Sequence, residues 1–146
     1  ELHDGLKEMS LANMAGNRVT ARRFIDEAQG VTDDLDDVGA AQALLQARAL
    51  DGFFAGDVEA ATSASLDGIR LSREAGDLYT LKVWLLNLGT AALVAGDLDA
   101  AAPLLAEALQ IAHRLDDRVP LAYLLDAAGC LQAASGNAQV AATLLG

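Results

Sequence analysis

The sequence predicts an all-α chain built as an array of helical hairpins, and three observations lead there. Gly16, Gly56, Gly96 and Gly136 recur every 40 residues, each preceded by Ala or Ser and followed by Asn or Asp, with Ala21, Ala61, Ala101 and Ala141 standing five residues beyond them. A period of this size is the mark of stacked supersecondary units. Apolar residues fall at spacings of three and four on both sides of the glycines, as an amphipathic helix requires. The 146 residues are 53% hydrophobic but only 4% aromatic, so the core is Ala and Leu, whose small side chains suit close helix packing better than a β-sandwich.

The elements follow from this punctuation. Before Gly96, Leu81, Trp84, Leu85, Leu88, Ala92 and Ala95 form one stripe; after it, Leu98, Ala101, Leu104, Leu105, Ala108 and Ile111 form another. Glycine ends the first helix in a left-handed conformation, and the Asp or Asn after it caps the second. Asp37, Asp77 and Asp117, again 40 apart, mark the turns between units. Pro120 suits the first turn of a helix, where a missing amide hydrogen costs nothing. The predicted helices are 2–15, 17–29, 38–55, 57–74, 79–95, 97–114, 120–135 and 137–146. They make units of about 1–37, 38–77, 78–117 and 118–146 within one repeat domain, 1–146.

Composition also excludes. A formal net charge of −11 opposes duplex binding, because affinity for nucleic acid comes largely from Lys and Arg neutralising phosphates. No run of 18 apolar residues and no charged-then-apolar leader is present, so neither a membrane span nor export is expected. The lone Cys130 forms no internal disulfide, and a reducing cytoplasm is the expected setting. The chain starts without Met, and Val140, Ala141, Leu144 and Leu145 form an apolar stripe with nothing after it to cover it. A fragment is expected, with more protein following and dimerisation through uncapped repeat ends open.

Numbered from Lys82, the third unit carries Leu85, Leu88-Gly89, Ala92, Gly96, Leu98, Ala101, Leu105 and Ala108. This resembles the tetratricopeptide repeat, with Leu98 and Leu105 in place of the usual aromatics. The fourth unit matches through Leu125, Gly129, Gly136, Ala141 and Leu145. The second keeps Leu45, Gly56 and Ala61 but has Arg48-Ala49 at the Leu-Gly site and Ser65 where a large residue is usual, and the first matches in its latter half. The resemblance implies a right-handed α-solenoid of about four tetratricopeptide-like hairpins. The unit is longer than the family's 34 residues. Its Ala-Gly-Asp turns, and phrases such as Leu109-Gln110-Ile111-Ala112 followed by Leu115-Asp116-Asp117 and Val140 to Gly146, resemble the repeat regions of large ATP-binding LuxR-type bacterial transcriptional regulators. That likeness implies a segment sensing a small-molecule inducer, peptide or protein partner between an ATPase module and a helix-turn-helix domain. The alternative is a stand-alone scaffold or adaptor binding a peptide or protein in a concave groove. The chain has no Gly-x-x-x-x-Gly-Lys-Ser/Thr phosphate loop, so no nucleotide hydrolysis is expected.

In the tetratricopeptide family the first helix of each unit lines the concave face. Its contact offsets, carried over, select Asn13 and Met14; Gln46, Leu50, Phe53 and Phe54; Leu86, Thr90 and Leu93; and Tyr123, Asp126 and Cys130. Successive helical residues point about 100° apart, so Phe53 and Phe54 cannot share one core stripe. Either one of them faces the groove, or both pack between units or against a preceding module. Trp84 and Tyr79 begin one first helix and Tyr123 the next, and a Trp at this point reads as packing. Arg48 either reaches toward an anionic group or Asn87, or lies along the surface.

Asp33, Asp34, Asp36, Asp37 and Gly39 imitate a calcium loop but fail it, with Val38 at a ligand position and Leu45 where a bidentate Glu is needed; a turn capped by Asp37 is expected instead. Arg22 and Arg23 read as an exposed helical face. His113 complements the end of its helix, and His3 lies near the N-terminus. No residue set offers a nucleophile with a base, so neither a catalytic site nor a metal or other cofactor is expected, and the chain reads as not an enzyme.

Overall fold

The computed structural model describes residues 5, 7–9, 11–12, 15–33 and 37–145. Among the described residues the regular structure is helical: α1 (described at residues 5, 7–9 and 11–12), α2 (Arg18–Asp33), α3 (Val38–Ala55), α4 (Val58–Ala75), α5 (Leu78–Val94), α6 (Leu98–Arg114), α7 (Arg118–Ala134) and α8 (Ala138–Leu145). They divide into two compact units, residues 1–75 and 76–146. None of these helices is long and apolar enough to cross a membrane.

The turns within the hairpins share one hydrogen-bonded motif. Gly16, Gly56, Gly96 and Gly136 have φ of 73, 70, 79 and 83°, the left-handed region where a Cβ is penalised. The next residue donates its amide five positions back: Asn17 to Ala12 O at 2.8 Å, Asp57 to Gly52 O at 2.8 Å, Asp97 to Ala92 O at 2.9 Å and Asn137 to Gln132 O at 2.8 Å. This is the 6→1 bond of a Schellman motif, which satisfies a carbonyl the helix end would leave orphaned. The side chains of Asn17, Asp57 and Asp97 then accept from the amides of Thr20, Ala60 and Ala100 at 3.2, 3.0 and 3.1 Å. Asn137 departs from the expected cap, donating its amide nitrogen back to Gln132 Oε1 at 2.8 Å. A Cβ added at Gly96 meets nothing within 4 Å, so Gly96→Val tests the backbone alone. It is expected to cost about 1 kcal/mol or more, read as a lowered thermal midpoint, and an unchanged midpoint would count against the left-handed turn.

The turns between hairpins vary more. Asp37 accepts from the amides of Gly39 and Ala40 at 2.7 and 3.3 Å, and Asp77 accepts from that of Thr80 at 3.0 Å. Side-chain and backbone hydrogen bonds from Thr80 hold the Asp77 carboxyl below its ordinary pKa. Asp117 makes no side-chain cap; its carboxylate is paired with Lys82 instead. Asp116, at φ 50°, holds the left-handed position that Gly76 (φ 68°) holds one turn earlier. Two boundaries shift from expectation. Helix α2 runs on to Asp33 with Thr32 Oγ1 bonded to Ala28 O at 2.8 Å. Helix α7 starts at Arg118, placing Pro120 third, still in the first turn.

In unit 1, Met9, Ala12, Ala21, Ile25, Ala28, Leu44 and Ala47 form a cluster joining α1, α2 and α3, with Phe24 against its edge. Helix α4 packs along α3, where Gln42, 6% exposed, donates to Ser72 Oγ at 2.8 Å and Gly68 O at 3.2 Å. In unit 2 the interior takes Leu81, Trp84 and Leu85 from α5, Ala101, Leu105, Ala108, Ile111 and Ala112 from α6, Leu124 and Leu131 from α7, and Ala141 from α8. Trp84 is core, as its place in the stripe implied. Ala95 is exposed, because α5 has already ended at Val94.

Candidate functional site

Helix α3 separates two sides by its 100° step per residue. Leu44, Ala47 and Asp51 fall within one arc and are buried, while Gln46, Leu50 and Phe53 fall on the other side and are exposed; Phe54, exposed as well, stands only about 20° from Ala47 at the edge of the buried arc. Phe53 is 71% exposed, Phe54 46% and Leu50 42%. Both phenylalanines face outward because they follow Gly52, the residue on which α3 closes against α4. Their rings meet edge to face, centroids 5.6 Å apart at 79°, an arrangement favoured by the ring quadrupoles. Contiguous exposed apolar surface of this kind characterises contact sites. Nothing in the Gln46, Leu50, Phe53 and Phe54 set is a nucleophile or a titrating base; these groups can bind.

In unit 2, Thr90 is exposed and Leu86 and Leu93 are half-buried along α5, while Tyr123 (65% exposed), Asp126 and Cys130 lie exposed on α7. Helices α5 and α7 touch, so these two rows belong to neighbouring helices of one unit. Asn13 and Met14, selected with them, lie outside the described residues, as does His3.

No protein-family model matches this chain, and no curated protein matches it. The site therefore rests on its own geometry.

That geometry holds more than the sequence reading found. Val94 is 84% exposed and stands 40 residues after Phe54; the repeat register alone would have added it to the row. The guanidinium of Arg48 is bonded to Gln29 on α2. Arg22 is exposed as expected, but its Nε lies 3.4 Å from Asp51 Oδ2, and Arg23 pairs with Glu27 at 3.6 Å and stacks over Phe24. Tyr79 is 63% exposed, its ring 4.3 Å from the ammonium of Lys82. His113 is exposed in the last turn of α6 beside Arg114, on the favourable side of the helix dipole.

A separate hollow opens in unit 1. It has a volume of about 540 Å³ and lies among α2, α3 and α4, lined by Arg22, Asp26, Arg48, Asp51, Asp57 and Asp67 among others. None of the selected contact residues lines it.

Proposed function

We propose that the chain is a ligand-sensing or protein-interaction repeat domain of a larger bacterial transcriptional regulator working in the cytoplasm, with the reaction and the DNA contact supplied by neighbouring modules. The architecture that goes with this reading is a right-handed solenoid of tetratricopeptide-like hairpins. The observation that carries the reading is the exposed set Leu50, Phe53 and Phe54 on α3, large apolar groups in water beside the polar Gln46. A peptide, protein or small-molecule inducer seated on such a row stabilises one arrangement of the hairpins over another. Its differential affinity is then passed on as a population shift.

The test is Phe54→Ala in the full-length protein. The ring is about half exposed, so the loss of stability should stay below the roughly 3–5 kcal/mol of a buried Phe→Ala change, while co-purification of the partner and inducer-dependent promoter occupancy fall. Lost partner binding with promoter occupancy unaffected would instead support the stand-alone adaptor. Full retention of binding together with a large loss of stability would make the aromatic pair core and overturn the assignment.

A further inference from the structure

Helix α5 carries one charged residue, Lys82, and that one is buried and paired with Asp117. Its outward side is therefore free of charge from end to end. Tyr79, Val83, Leu86, Thr90 and Val94 follow one another at spacings of three and four, which keeps them within about 80° of one another over about 22 Å of helix. Tyr79, Thr90 and Val94 are exposed, and Val83 and Leu86 are half-buried. Helix α6 of the same unit differs, turning Asp99, His113 and Arg114 to water. Helices apolar on both sides are ones that become covered on both sides, and contiguous exposed apolar surface marks a contact site.

The chemistry of the stripe selects its occupant. An extended peptide brings an unpaired amide and carbonyl at every residue, and the middle of the stripe offers it only Thr90 with Asn87 alongside. A helix closes its backbone bonds internally and needs only a matching apolar face. The charge is one-sided too. Helix α7 touches α5, and its exposed row Tyr123, Asp126 and Cys130 has Asp126 as its single charge. None of the basic residues of unit 2 pairs with it: Lys82 is held by Asp117, Arg118 lies 3.9 Å from Asp116, and Arg114 stands in the last turn of α6. A second copy of the chain would add a further −11 of charge and the same bare stripe. A cationic partner brings what is missing.

We propose that the outward stripe of α5, together with Asp126 on α7, receives an amphipathic helix of about four turns from another protein, apolar on one face and carrying Lys or Arg where it meets Asp126. This rests on the reading of the chain as a protein-interaction domain and names the chemistry of the partner. It uses no residue of α3, so failure here leaves the Phe54→Ala test standing, and the reverse also holds.

The probe is a labelled 16-residue peptide with Leu along one face and Lys along the other, titrated into the 146-residue chain and followed by fluorescence anisotropy. Saturable binding is expected. The same residues in shuffled order, or Glu in place of Lys, should bind at least about tenfold more weakly. Val94→Glu and Thr90→Glu, both at exposed positions, should each weaken binding by about tenfold or more while helicity is kept, because they put a charge into the apolar contact. Asp126→Asn should weaken it about two- to fivefold, the worth of an exposed ion pair, while Asp67→Asn, which removes the same charge from unit 1, should not. No saturable binding, equal binding of either control peptide, wild-type affinity in both Glu variants, or equal losses for Asp126→Asn and Asp67→Asn would each overturn the proposal. Sedimentation showing that the chain pairs with itself, and that Val94→Glu restores the single chain, would give the stripe to a second copy and overturn it as well.

Discussion

Asp117→Ala should destabilise unit 2 by about 3–5 kcal/mol, the typical cost of removing one member of a buried ion pair. Lys82 is 0% exposed and its ammonium is paired with Asp117, with the Tyr79 ring as its other neighbour. Without the carboxylate the charge remains inside with only a ring face for company. Lys82→Met should be far milder, because Met fills the same channel without a charge and Asp117, whose side chain is 24% exposed, can turn to water. No helix cap is lost in either variant, since Asp117 makes none through its side chain. Urea unfolding followed by circular dichroism reads both. Equal losses for the two variants would mean that packing of the lysine stem, and not the charge, dominates. A loss of this size is a large share of the 5–15 kcal/mol that holds a typical domain together.

The second large effect is expected at Gly52. A Cβ there would lie 2.7 Å from the backbone nitrogen of Ala61, 3.0 Å from its Cα and 3.1 Å from its Cβ. Backbone cannot rotate aside, so α3 and α4 must separate. Gly52→Ala should cost about 1–3 kcal/mol as overpacking, despite the better helix propensity of Ala. At Gly89 the nearest atoms are Cδ2 and Cγ of Leu105, both 2.9 Å away. That side chain can yield, so Gly89→Ala should cost less, and Leu105→Val should restore part of it. Ala61→Gly should do little for Gly52→Ala, because the obstructing nitrogen remains. Thermal melts of the four variants give the order, and a milder effect at Gly52 than at Gly89 would refute the backbone argument.

What could be read in the sequence depended on whether a position obeys a local rule. The hairpin turns were legible because a left-handed residue beside a capping Asp or Asn calls for glycine, and Gly56 and Gly96 have no substitute with the same freedom. The same conformation at Asp116 was hidden, since Asp is ordinary in any turn. Apolar stripes located the core of α5 and α6 but hid Gln42 and Lys82, polar residues 40 apart that are both buried; periodicity assigns such residues to the solvent side. Phe53 and Phe54 could be kept off a shared core stripe because adjacent helical residues point about 100° apart, but that rule left open whether one or both would pack, and both are exposed. The pairing of Arg22 with Asp51 spans 29 residues and depends on how α2 lies across α3, which no local pattern encodes.

The Schellman turns have a consequence for how such a chain can change length over generations. The backbone bonds of the Schellman motif at Gly56 lie between Gly52 and Asp57, with the cap on Ala60 only three residues further, and the same six-residue span recurs at Gly96 and Gly136. Each bend is thus self-sufficient and asks nothing of distant segments. Duplication or deletion of a 40-residue stretch in the gene would leave every remaining bend chemically complete, so the number of hairpins is free to drift while the shape of each is inherited unchanged.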